Sequence, residues 1–163
     1  MRRPMAAGVV AFAAAAAVAV PTMASASTPL VHIGFVRLSA AQEVPGPGDA
    51  AGSALFIFTA GQQRLCYALV TRNLSTTPVA AHIHTGAAGV AGPIAVALGT
   101  PAGVNSAEAT CITVVPDAQQ TPANQTMVLT QTEESAIIAT PAGFYANVHT
   151  QASPAGAVRG QLR

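Results

Sequence analysis

Histidine is scarce in this chain, and its placement is the first sign of chemistry. There are four: His32, His82, His84 and His149. Ala81-His82-Ile83-His84 has the composition of a strand with histidine at i and i+2. Period-two alternation sets both imidazoles on one face and turns Ile83 to the other. A second segment, Phe144 to Thr150, puts Tyr145, Asn147 and His149 on one face and Ala146 and Val148 on the other. If the two segments lie side by side, His82, His84 and His149 supply three neutral nitrogens with a fourth position open, a donor set that suits copper or zinc. Glu43 and Asp49 are the loop carboxylates able to join. His32 has no supporting pattern. The alternative is structural: histidines on a strand also serve as outward polar groups, or bond a neighbouring backbone or the Asn147 amide.

Other chemistry finds little footing. Gly86, Gly89 and Gly92 have the spacing of a dinucleotide loop, but Gly92-Pro93 leads into Ile94–Leu98, which reads as a strand where that motif needs a helix. There is no GxSxG elbow and no HExxH. Glu133 and Glu134 are adjacent at a helix start, where they serve its dipole. Nothing points to a serine or threonine hydrolase. Asn73-Leu74-Ser75 and Asn124-Gln125-Thr126 are glycosylation sequons. Arg159 has two readings, an ion pair with Glu43 or another acid that pins the last strand, which is favoured, or an anion guide beside the histidines.

The elements that must position these residues are short β-prone runs punctuated by Gly, Pro and Asn. They cover 31–38, 54–59, 64–71, 78–84, 93–98, 109–115, 126–129, 144–150 and 157–162. One helix is predicted, from a Thr130/Glu133 capping box through Ser135–Ala139, stopped by Pro141 and Gly143. The fold class is all-β: an antiparallel Greek-key sandwich or barrel of 8–9 strands with one short helix. Cys66 and Cys111 are the two cysteines. An even pair in an exported chain reads as one disulfide.

The N-terminus carries the export signal. Arg2 and Arg3 precede an uncharged run from Ala6 to Val20, and Ala24-Ser25-Ala26 offers an A-x-A cleavage site. This is the pattern of a secretory leader. Residues 1–26 are expected to be the leader and 27–163 a single domain. The run falls short of the roughly 20 residues of a membrane-spanning helix, so no stable anchor is expected after cleavage. The mature part keeps Arg37, Arg64, Arg72, Arg159 and Arg163 against six acids, with no lysine. That balance offers no basic patch for nucleic acid. Charged residues make up only 8% of the chain, so Thr, Ser, Asn, Gln, Ala and Gly must cover the surface.

Three blocks in order resemble the CHRD, or chordin-type, domain family. They are Leu38–Pro45 (LSAAQEVP), Ala81–Gly86 (AHIHTG) with Gly89 and Gly92-Pro93-Ile94, and Tyr145–Thr150 (YANVHT) with Pro154–Leu162 (PAGAVRGQL). The resemblance spans about residues 34–162. It implies a β-rich fold and extracellular placement; for an exported chain, the partner expected is an extracellular protein or a cell-envelope component. Chordin's growth-factor binding does not carry over, since this chain has one copy and none of the cysteine-rich modules found there. A fainter similarity reaches copper/zinc superoxide dismutase and would make His82, His84 and His149 copper ligands. The chain lacks that family's bridging histidine and zinc cluster. The function expected first is a secreted, non-enzymatic binding or structural module. The alternative is a mononuclear copper or zinc protein, with redox activity in prospect.

Overall fold

The computed structural model describes residues 30–163. The expected leader, residues 1–26, lies outside the described residues. No helix among the described residues is long and apolar enough to cross a membrane.

Among the described residues, nine strands form one strongly curved sheet, a nearly closed barrel. They are β1 (His32–Ser39), β2 (Ser53–Gly61), β3 (Arg64–Arg72), β4 (Pro78–Thr85), β5 (Ile94–Leu98), β6 (Ser106–Val115), β7 (Leu129–Thr130), β8 (Phe144–Thr150) and β9 (Val158–Gln161). Their order across the sheet is β5-β4-β8-β9-β1-β2-β3-β6-β7. Every pair is antiparallel except β6 with β7, a two-residue parallel contact. Across the seam, the Ala97 amide donates to the Thr126 carbonyl at 2.7 Å.

Period-two alternation builds the core. On β2 and β3, Phe56, Phe58, Leu65, Tyr67 and Leu69 turn inward and are buried. Val36 and Leu38 from β1, Ile83 from β4 and Val148 from β8 meet them. The outward side is less polar than the composition led one to expect: Ile33, Phe35 and Ile57 stand exposed on β1 and β2. Cys66 and Cys111 face each other across the β3–β6 register and form the disulfide.

The one α-helix among the described residues, α1 (Gln131–Ala139), starts directly after Thr130, where the capping box placed it. Both bonds of the capping box are present: the Glu133 amide donates to Thr130 Oγ1 at 3.2 Å, and the Thr130 amide donates to Glu133 Oε2 at 2.8 Å. Ile137 anchors the helix in the core. The strand expected over 126–129 shrinks to Leu129–Thr130, because 122–127 is taken by turns. The other eight strands stand within three residues of their expected bounds.

For the site, the decisive feature is that β8 lies directly beside β4. His82 pairs with Asn147, His84 with Tyr145, and Ala80 with His149. Both histidine-bearing strands therefore share one face.

Candidate metal centre

The three imidazoles converge. One nitrogen from each of His82, His84 and His149 lies within 4.8 Å of one from each of the others. Ring centroids are 4.9 Å apart for His82 and His149, and 5.4 Å for His82 and His84. Both pairs meet edge-on. Ile83, fully buried behind them, fixes the backbone from the core side.

Each ring meets a different set of partners. His84 Nδ1–H donates to the Gly92 carbonyl at 2.9 Å. A carbonyl only accepts, so the proton sits on Nδ1 and the Nε2 lone pair is free. That Nε2 is buried and has no hydrogen-bond partner. His82 Nδ1 is likewise buried and unpartnered. His149 Nδ1–H donates to the Pro154 carbonyl at 3.0 Å, and its Nε2 lies 3.1 Å from Asn147 Oδ1.

Electrostatics keeps the lone pairs available. Burial, and then the neighbouring His149 and His84 rings, push the His82 pKa down to about 4. Burial also lowers His84, against the Gly92 hydrogen bond that raises it. A neutral imidazole is the form that ligates.

The donor set fits a metal ion. A tetrahedral centre with Zn–N bonds of about 2.1 Å wants its nitrogens about 3.4 Å apart. The Asn147 amide must turn aside from His149 for that nitrogen to join. His82 and His149 are half-buried and His84 is buried. His32 is elsewhere, its Nε2 against the Arg163 carbonyl at 3.2 Å. Asp49 is also elsewhere, with its carboxylate held by the Ser75 and Ala51 amides.

The profile of the CHRD domain matches residues 35–162. The chain belongs to the CHRD domain family. No curated protein and no solved structure matches this CHRD chain, and the fainter likeness to copper/zinc superoxide dismutase is not borne out.

Arg159 and Glu43 end up differently from the favoured sequence expectation. Arg159 is 1% exposed. Its Nη1 donates to the Val90 carbonyl and its Nη2 to the Ala87 carbonyl, both at 2.9 Å, with Gln161 Oε1 at 3.3 Å. The glycine-rich loop of the CHRD domain presents these carbonyls inward, and one guanidinium has enough donors to satisfy both. Glu43 lines a cavity of about 170 Å³ together with Arg159. Among the described residues no hydrogen bond joins them, and Glu43 Oε1 has no partner. Burial pushes the Glu43 pKa up to about 7, with the Arg159 charge pulling the other way.

Sequence reasoning missed Tyr145. Its ring stacks on His84, and its hydroxyl accepts from the Gly92 amide at 3.1 Å. The signal was present, since Tyr145 shares the outward face of its strand with Asn147 and His149. The backbone carbonyls of Gly92 and Pro154 left no comparable mark in the side-chain pattern.

Proposed function

We propose that this CHRD domain is an exported, mononuclear metal-binding module that holds copper or zinc on His82, His84 and His149. The observation that carries the reading is the pair of buried, unpartnered nitrogens, His82 Nδ1 and His84 Nε2, in a three-imidazole cluster. Leaving buried polar atoms without partners costs roughly 1–3 kcal/mol each, and a metal ion would remove that cost. The leader-like N-terminus and the disulfide support export.

A second reading has one observation in its favour. His149 already engages the Pro154 carbonyl and the Asn147 amide, and His84 engages Gly92. On this reading the histidines pin two loops to the sheet, and the domain is a non-enzymatic binding or structural module. Calorimetric titration of the metal-free protein with Cu(II) and with Zn(II) separates the two. The metal reading expects one site per chain, lost in a His82→Ala/His84→Ala double variant that stays folded. Heatless titrations with both ions, on folded protein, leave the structural reading.

A further inference from the structure

We propose that Arg159 is a positioning residue for the three-histidine site, acting through Tyr145 and the 86–93 loop; the inference rests on the metal reading for its consequence but not for its geometry. The Arg159 Cζ lies 3.4 Å from the centroid of the Tyr145 ring. The ring on the other side of Tyr145 is His84, nearly parallel at 5° and 4.7 Å between centroids. Strand order explains the stack, because β8 carries Tyr145 between β4 with His84 and β9 with Arg159.

The same guanidinium fastens the loop. Its bonds to Ala87 and Val90 hold the loop down. Gln161 Nε2 adds a bond to the Gly86 carbonyl at 2.7 Å. The loop in turn presents the Gly92 carbonyl to His84 Nδ1. Gly92 sits so tightly on the Thr85 carbonyl that a side chain there has no room. Arg159 thus holds His84 twice, by the tyrosine on its face and by the carbonyl on its Nδ1. Both contacts leave Nε2 as the free nitrogen. A lysine keeps the charge but loses the planar stack and the fork that spans two carbonyls.

The test uses Arg159→Lys. Two readouts are taken, Cu(II) affinity with its electron paramagnetic resonance spectrum, and the ¹⁵N pattern of the His84 imidazole in metal-free protein. Wild type should show a single Nδ1–H tautomer of His84, and Arg159→Lys an exchange-averaged one. Cu(II) affinity should fall roughly 10–100-fold in Arg159→Lys, the range for lost outer-shell partners, with altered copper hyperfine splitting. A folded Arg159→Lys protein with unchanged tautomer and unchanged copper spectrum overturns the inference. If Arg159→Lys does not fold, Tyr145→Leu, which removes the stack itself, takes its place with the same readouts. Failure of wild type to bind Cu(II) removes the metal reading alone; the tautomer measurement still decides the role of Arg159.

Discussion

Tyr145 and His84 stand face to face across the β4–β8 register, their ring planes 5° from parallel. The contact ties the two histidine-bearing strands, β4 and β8, together at the candidate metal centre. It also makes the His84 ring one of the most constrained side chains on that face: Tyr145 covers it, Gly92 bonds its Nδ1, and Ile83 is buried behind its strand. Rigid, buried and neutral donors favour metal binding because little ordering remains to be done when the ion arrives.

The Ile83 side chain is the first place to test this support. Ile83→Ala should destabilise the protein by about 2–5 kcal/mol and Ile83→Val by about 0.5–1.5 kcal/mol, since the site is fully buried. Urea unfolding measures both. Metal affinity should drop in the alanine variant, whose His82 and His84 lose their common backing, and hold in the valine variant.

The disulfide is a separate prop. It joins β3 to β6, on the flank of the sheet away from β4 and β8, and links residues 45 apart in sequence. A loop of that length corresponds to about 4 kcal/mol. The Cys66→Ala/Cys111→Ala variant should lose roughly 3–4 kcal/mol in denaturant titrations, while the histidine spectra of the folded protein stay unchanged.

Glu43 gives the pH prediction. Its folded pKa of about 7 lies above the ordinary 4.5, so between those values the folded state binds more protons than the unfolded one. Stability from this group is full below about pH 4.5 and is lost as pH rises through 7. His82 works in the opposite sense: its pKa near 4, against 6.5, makes stability rise with pH between those values. The decline from pH 6.5 to 8 therefore belongs to Glu43. Glu43→Gln should flatten it in unfolding curves of metal-free protein, and an unaltered decline in that variant would assign it elsewhere.

Much of this architecture was legible in the residues. Period two along Ala81–His84 and Phe144–Thr150 placed the imidazoles on a face, and the capping box located the helix start. What local pattern could not supply was adjacency. That β8 lies beside β4 depends on a chain path running through β5, β6, β7 and α1, and no local propensity encodes it. The partners of Arg159 were hidden for the same reason. Val90 and Ala87 offer backbone carbonyls, which every residue has, and they lie 69 and 72 positions away. A carboxylate looked the natural partner because opposite charge is visible in a sequence and an inward-turned loop is not. The cost of the result falls on Glu43, left buried without a hydrogen bond to Oε1.

The most direct measurement is a long-range ¹H–¹⁵N spectrum of the four imidazoles in metal-free protein, repeated with one equivalent of Zn(II). The account predicts that His82, His84 and His149 shift together and saturate at one ion per chain, while His32 does not move. Three unshifted rings at saturating Zn(II), or a response led by His32, would contradict it.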